Sequence, residues 1–86
     1  MPHFLIESPH TDQECLKTLE QVLAAGYLTH FYWGCKGGEH TGWVIFEAPS
    51  KAEAIMVVPS FIRHKARAVE LVQFDPEMVR AAHGAK

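Results

Sequence analysis

The residues best suited to chemistry in this chain lie in one short run, between Trp33 and Trp43. Within it, Cys35 and His40 stand on either side of the pair Gly37-Gly38. A pair of glycines is typical of a tight turn between two strands. A thiolate is a soft metal ligand and a nucleophile, and imidazole is a metal ligand and a base. The run therefore predicts half of a transition-metal site, or half of a reactive-thiol site, at the tip of a hairpin.

The composition of the chain narrows its class. Its 86 residues suit a single domain, 1–86, and its 8 basic and 10 acidic residues include no run of lysine or arginine, which argues against nucleic-acid binding. No segment has the length of a membrane span, and the short apolar stretch before Glu7 predicts a strand rather than a signal peptide. We therefore expect a cytoplasmic protein, whose two cysteines are free, metal-bound or redox-active rather than joined in a permanent disulfide.

Local patterns predict strands and helices in a definite order. The segment Thr11-Asp12-Gln13-Glu14 has the form of a capping box that begins a helix, and Gly26 supplies a left-handed residue that ends it. A second box begins at Ser50, and Pro59 ends the second helix. The predicted elements are a strand over 4–8, a helix from 11 to 26 with Leu16, Leu19, Val22 and Leu23 as its apolar stripe, strands over 27–35 and 42–48, a helix from 50 to 58, a strand over 67–74, and a short helix after Asp75-Pro76 that ends near Gly84.

This order predicts an α+β protein with the ferredoxin-like βαββαβ fold, in which two helices cover one face of a four-stranded antiparallel sheet and a short helix follows. In that topology the end of the first strand, the start of the first helix and the hairpin meet at one end of the sheet. His10 and Cys15 then join Cys35 and His40 there, and the first turn of a helix favours thiolate at Cys15. These four residues are the candidate ligands of a divalent transition metal such as nickel, zinc or copper.

Simpler interpretations of the same four residues stay open. Cys15 can pack as a small buried thiol, His10 can belong to the helix entry, and His40 can be solvated. Alternation along the strand places Cys35 under the helices, but His40 lies in a turn and has no fixed direction. The site therefore closes only if the turn folds back over Cys15.

The two faces of the sheet are assigned by alternation along each strand. One face is apolar and suits the helices: Phe4, Ile6, Val44, Phe46, Val69 and Leu71. The other, which we call the open face, mixes apolar and ionisable side chains, and it predicts a homodimer that encloses a small-molecule pocket: His3, Leu5, Glu7, His30, Tyr32, Trp43, Ile45, Glu70, Val72 and Phe74. His30, Tyr32, Glu7 and Glu70 are the acid–base candidates if this pocket is an active site.

Four segments together resemble a family of small, stand-alone bacterial proteins with the ferredoxin-like fold and mostly unknown function: 3–7, 10–16, 33–43 and 59–67. The resemblance covers nearly the whole chain, and its Cys-His hairpin is its most specific part. The opening strand, Met-Pro-His-Phe-Leu-Ile-Glu, is also similar to that of nickel-binding ferredoxin-like proteins. The segment Pro59-Ser60-Phe61 is similar to part of the dimeric α+β barrel superfamily, which includes muconolactone isomerases and small monooxygenases. That likeness implies a homodimer with a ligand between the open faces.

Two functions and a third possibility remain open at this point. The first is metal binding through Cys35 and His40, completed by His10 and Cys15. The second is a homodimeric small-molecule-binding protein or enzyme, of isomerase or monooxygenase type, that uses the open face. The third is a stable dimer with neither activity. Metal analysis of protein prepared without a histidine tag separates the first from the others.

Overall fold

The computed structural model describes the backbone of residues 1–84 and the side chains of residues 1–82. It has the predicted α+β class, with one four-stranded antiparallel sheet in the order β2-β3-β1-β4. The strands are β1 (His3–Pro9), β2 (Tyr32–Trp33), β3 (Thr41–Glu47) and β4 (Arg67–Leu71). The helices are α1 (Cys15–Ala24), α2 (Lys51–Ala54) and α3 (Pro76–Gly84). No helix within residues 1–84 is both long enough and apolar enough to cross a bilayer.

The central pair of the sheet is β1 with β3. These strands pair over seven residues, from His3 opposite Glu47 to Pro9 opposite Thr41. By contrast β2 contributes only two residue pairs, because Leu28–His30 form a 3-10 turn where the sequence predicted part of a strand. Gly26, with φ of +87°, ends α1 as predicted. The 3-10 turn then connects the helix to β2.

The core lies between the sheet and the two helices. Phe4 and Ile6 of β1 and Val44 of β3 are buried together with Val22 of α1 and Ala54 of α2. The predicted helix-covered face is therefore correct for β1 and β3. Helix α2 is shorter than predicted, because Ile55–Val57 continue it as a 3-10 turn before Pro59. A residue that precedes proline is disfavoured in the α conformation, so the helical path ends at Val58.

The predicted apolar stripe of α1 is wrong in part. Thr18 and Val22 are the buried residues of this helix, whereas Leu16 and Leu23 are 67% and 61% exposed. The inward face is set by Cys15, Thr18 and Val22, which are spaced three and four residues apart. Thr18 can occupy a fully buried position because its hydroxyl donates to the carbonyl of Glu14 at 2.9 Å.

The face assignment of β4 is also wrong. Directly opposed residues of antiparallel strands share a face, and Val69 is opposite Leu5 while Leu71 is opposite His3. Val69 and Leu71 therefore lie on the open face, and Glu70, opposite Phe4, lies on the other side. The strand stops at Leu71 rather than Phe74, because β1 begins at His3 and the preceding residue, Pro2, has no N–H to pair with.

Residues 72–84 form an arm beyond the sheet. Its helix α3 begins where the sequence predicts, with the Asp75 side chain accepting from the N–H of Met78 at 2.8 Å. Every described side chain from Val72 to Ala82 is exposed, including Val72 at 67% and Phe74 at 71%. The arm gives the molecule its elongated dimensions, 52 × 28 × 22 Å.

The entry to α1 is capped as predicted. The Thr11 hydroxyl accepts from the N–H of Glu14 at 3.2 Å, and the Glu14 carboxylate accepts from the N–H of Thr11 at 2.8 Å. These two bonds satisfy backbone donors that the helical turn itself leaves free. At α2 the Ser50 hydroxyl accepts from the N–H of Glu53 at 3.3 Å, which completes one half of the second predicted box.

Replacing Thr11 by alanine should therefore destabilise the protein by ~1 kcal/mol. For a chain of this size that loss lowers the thermal midpoint by roughly 4–8 °C. Thermal unfolding followed by circular dichroism measures it. Thr29→Ala, an exposed change in the 28–30 turn, is the matched control and should leave the midpoint nearly unchanged. An unchanged midpoint in the Thr11 variant would contradict the role of the cap.

Candidate metal centre

The four candidate ligands meet at one end of the sheet, on its helix-covered side. His10 follows β1, Cys15 is the first residue of α1, and Cys35 and His40 lie in the loop between β2 and β3. One potential ligand atom from each residue lies within 4.8 Å of the other three. The topology thus brings together all four residues that the sequence analysis selected.

Backbone hydrogen bonds hold the β2–β3 loop in the conformation that this meeting requires. The N–H of His10 donates to the carbonyl of His40 at 3.0 Å, which joins the loop to the chain leaving β1. Within the loop, Gly38 adopts φ of +92°, a left-handed conformation that suits glycine. Gly34 donates to the carbonyl of Thr41 at 3.0 Å, and a Cβ on Gly34 would lie only 2.6 Å from the carbonyl of Glu39. The turn therefore folds back over Cys15, as closure of the site demands.

The two thiols are in direct contact. Cys15 Sγ lies 3.3 Å from Cys35 Sγ, and both cysteines are free and half-buried. Burial and the neighbouring Cys15 raise the pKa of the Cys35 thiol to about 11. At neutral pH this thiol keeps its proton in the resting metal-free protein, and a bound cation would stabilise its thiolate.

His10 presents an acceptor nitrogen to the thiols. It is 6% exposed, and its Nδ1 lies 3.3 Å from the carbonyl oxygen of Ser8. A carbonyl oxygen only accepts, so Nδ1 carries the proton of the neutral ring and Nε2 is left with its lone pair. Nε2 is 3.4 Å from Cys35 Sγ. Burial lowers the pKa of His10 and so favours the neutral ring that binds metals.

His40 holds a buried nitrogen that lacks a partner. Its Nδ1 is inaccessible to solvent and has no hydrogen bond among the described residues, while its Nε2 lies 3.6 Å from Asp12 Oδ1. A nearby carboxylate favours the proton on Nε2, which leaves the lone pair on the buried Nδ1. An unsatisfied buried polar atom costs ~1–3 kcal/mol. A metal ion bound to Nδ1 would remove that cost.

Two of the six separations between donor atoms fit a tetrahedral ion. Metal–ligand bonds of about 2.3 Å to sulfur and 2.0–2.1 Å to nitrogen imply separations of roughly 3.3–3.8 Å between donors. The Cys15–Cys35 and Cys35–His10 distances, 3.3 and 3.4 Å, fall in this range, and the remaining pairs lie within 4.8 Å. Small side-chain movements are therefore enough to complete the coordination.

A pattern in the sequence could have strengthened the selection of these residues. The chain reads His-x₄-Cys in the first half of the site and Cys-x₄-His in the second, so each half supplies one imidazole and one thiol at the same separation. This spacing differs from that of zinc fingers.

Sequence reasoning identified Glu14 as part of the capping box but missed its pairing with Lys65. Glu14 accepts from Lys65 Nζ at 2.7 Å, and this contact, together with the Thr11 N–H, lowers the pKa of Glu14 to about 2. The bond ties the start of α1 to the segment before β4, fifty-one residues further along the chain. The contacts of Asp12 with His40, at 3.6 Å, and of the Ser8 carbonyl with His10 were likewise not predicted, because they exist only in the folded chain.

The acid–base candidates of the open face do not converge. His30 and Tyr32 border a shallow cavity of about 220 Å³. Glu7 lines a separate cavity of about 470 Å³, where it accepts from Arg67 at 2.9 Å. Trp43 lies between the two cavities, and Glu70 is on the opposite side of the sheet.

Comparisons of this chain with protein-family models, with curated proteins and with solved structures found no match. Evidence for the function therefore comes from the geometry of the site.

Proposed function

We propose that this protein binds one divalent transition metal ion through His10, Cys15, Cys35 and His40. The observation that carries the proposal is the convergence of two thiols and two imidazoles, from three separate segments, within 4.8 Å. The buried Nδ1 of His40, which has no partner within the described residues, supports it.

Zinc is the metal that the donor set favours. Two sulfur and two nitrogen donors at tetrahedral separations suit zinc, whereas nickel(II) and copper(II) prefer square-planar or tetragonal arrangements. Four protein ligands also leave no open coordination position. Structural zinc sites are closed in this way, whereas catalytic zinc keeps a position for water or substrate.

Metal binding would lock the β2–β3 loop to the rest of the fold. The loop is joined to the sheet by two β2–β3 residue pairs and the Gly34–Thr41 bond, and to the chain after β1 by the His10–His40 bond. An ion held by ligands on both sides adds a link between the loop, β1 and α1. Because it binds the folded state, it stabilises the protein in proportion to its affinity.

Cobalt titration of metal-free, untagged protein tests the proposal. We expect one equivalent of Co²⁺ to produce thiolate-to-metal charge-transfer bands, and added zinc to abolish them. Cys35→Ser should remove the bands, whereas His64→Gln, a change at an exposed histidine outside the donor group, should keep them. Binding no tighter than that of a Cys15→Ala, Cys35→Ser double variant would contradict the proposal and make the cysteines packing residues.

The apparent zinc affinity should also rise with pH. With a pKa of about 11, the Cys35 thiol gives up a proton when metal binds near neutral pH. Each displaced proton strengthens binding about tenfold per pH unit, so affinity falls as the solution becomes more acidic. Competition with a chromophoric chelator on either side of neutrality measures this slope. An affinity independent of pH would exclude thiolate ligands.

We further propose a ferredoxin-like fold that forms a homodimer in a reducing compartment such as the cytoplasm. The strand order β2-β3-β1-β4, with both helices packed on one face, supports the fold. The open face supports the dimer, because Tyr32 is 81% exposed and Ile45 is 60% exposed on it. A second copy is the occupant that would bury both.

The arm at residues 72–84 belongs to the same proposal. Four strands of at most seven residues give the open face a footprint on the order of 400 Å². A stable interface needs ~800 Å² from each partner, so the sheet alone is too small. The exposed Val72, Phe74, Met78 and Val79 of the arm supply further apolar surface. A nine-residue helix is only marginally stable by itself, and packing on the second copy would stabilise it.

The cavities of the open face favour a second function, small-molecule binding between the two copies. Among the described residues, cavities of about 470, 430 and 220 Å³ lie along this face. The largest has charged walls formed by Glu7, Glu39, Lys65 and Arg67. His30 and Tyr32 remain the acid–base candidates of the smallest cavity, with Glu7 in the largest. Catalysis by these residues would need the second copy to bring them together.

Placing a charge in the centre of the open face should separate the copies. We expect wild-type protein to sediment as a dimer at micromolar concentration and Ile45→Arg to sediment as a monomer, because the arginine would be desolvated at the interface. Leu23→Arg, a change at an exposed leucine of α1, is the control and should stay dimeric. A monomeric wild type would overturn the dimer but leave the metal site unaffected.

A further inference from the structure

We propose that Cys35 and Cys15 also form a peroxide-reactive dithiol, in which Cys35 attacks the peroxide and Cys15 closes a disulfide. Formation of the disulfide would remove two of the four metal ligands, so the same pair would control metal release. The proposed oxidation is supported by the geometry of the two thiols and does not depend on metal binding. Only the metal release rests on the proposed function.

A directed chain of hydrogen bonds supports the proposal. Cys15 Sγ donates to Cys35 Sγ at 3.3 Å, and Cys35 Sγ lies 3.4 Å from Nε2 of His10. Since Nδ1 of His10 donates to the Ser8 carbonyl, Nε2 accepts, and the Cys35 proton points to it. Cys35 thus has a base in contact with it, and the base is oriented by a third group. This is the arrangement of an activated nucleophile.

The resolving thiol is already in place. A disulfide needs a sulfur–sulfur distance of about 2.0 Å, so the sulfurs, 3.3 Å apart, need to approach by little more than an ångström. Both cysteines are half-buried, which leaves access for a molecule as small as hydrogen peroxide. They are also the only two cysteines of the 86-residue sequence, so an intramolecular disulfide can form only between them.

The reaction balances with hydrogen peroxide as the two-electron oxidant. Cys35 sulfur attacks one peroxide oxygen while its proton passes to His10 Nε2. The O–O bond breaks, the leaving hydroxide takes that proton from His10, and Cys35 becomes a sulfenic acid with release of water. Cys15 sulfur then attacks Cys35 sulfur, the S–O bond breaks, and the hydroxyl leaves as water with the Cys15 proton. In total, two thiols and one peroxide give one disulfide and two waters.

Oxidation would also change the donor set of the metal site. Metal ions bind the negatively charged thiolate form of cysteine. The sulfurs of a disulfide are uncharged and are poor metal ligands. The two imidazoles that remain, His10 and His40, are too few to hold zinc tightly. In the metal-bound form, the dithiolate and peroxide take up two protons from solution and yield disulfide, free metal ion and two waters.

The first test treats metal-free wild-type protein with hydrogen peroxide. We expect free thiols to fall from two to none, an intact mass lower by two hydrogens, and a monomeric chain on non-reducing gels. In Cys15→Ala, dimedone should trap a sulfenic acid on Cys35, whereas Cys35→Ala should give little adduct. Retention of both thiols, or disulfides only between chains, would overturn the proposal. Dimedone trapping in wild type at short times provides a readout even if a variant fails to fold.

The second test addresses His10 as the positioned base. His10→Gln should slow thiol loss at least tenfold, because a general base contributes at least that much to proton transfer. His64→Gln should react within about twofold of wild type, since this exposed residue forms no hydrogen bond with either thiol. Equal rates in the two variants would show that His10 takes no part. Circular dichroism establishes that both variants are folded.

The third test separates the oxidation from the proposed function. Zinc-loaded protein treated with peroxide should release one zinc per disulfide, detected with a chromophoric chelator, and a thiol reductant should restore binding. If metal-free protein forms the disulfide but never binds zinc or cobalt, the proposed function fails and the dithiol stands. If zinc binds and peroxide leaves both thiols intact, the dithiol fails and the proposed function stands.

Discussion

The seven-residue pairing of β1 with β3 is the constraint on which the rest of the structure depends. It fixes Pro9 opposite Thr41, so that the residues just beyond each strand, His10 and His40, leave the sheet side by side. The bond from the His10 N–H to the His40 carbonyl continues the pairing by one step. A slip of one residue would turn Phe4, Ile6 and Val44 out of the core and separate the two halves of the donor cluster.

Two polar groups at this end of the sheet support the proposed binding of a cation. The Cys35 pKa is raised by burial, and Nδ1 of His40 is buried with no partner in the described part of the chain. The Ser8 hydroxyl is also buried without a hydrogen-bond partner among the described residues, whereas several neighbouring groups are bonded. His10 is bonded to Ser8, Glu14 to Lys65 and Thr11, and Thr18 to Glu14. A metal ion bound by the cluster would stabilise the Cys35 thiolate and give the His40 Nδ1 a partner.

Sequence reasoning reached the element order, the caps and the four donors because each rests on local signals or on topology. Thr11 and Glu14 mark a helix start within four residues, and the order of strands and helices then places His10 beside the hairpin. The face of the sheet or helix on which a side chain lies was harder to predict from the sequence. Only the register with β1 shows that Val69 shares a face with Leu5, because alternation within β4 allows either choice. In α1, the leucines predicted a buried stripe that includes Leu16 and Leu23. The buried face instead contains Thr18, whose hydroxyl is satisfied by the Glu14 carbonyl.

X-ray absorption at the zinc edge of the zinc-loaded protein tests the proposed four-ligand metal site directly, because it counts and identifies the ligand atoms. We expect a single four-coordinate zinc site with two sulfurs at about 2.3 Å and two imidazole nitrogens at about 2.0–2.1 Å. A shell of nitrogen and oxygen alone, or a single sulfur, would contradict a site built from Cys15, Cys35, His10 and His40.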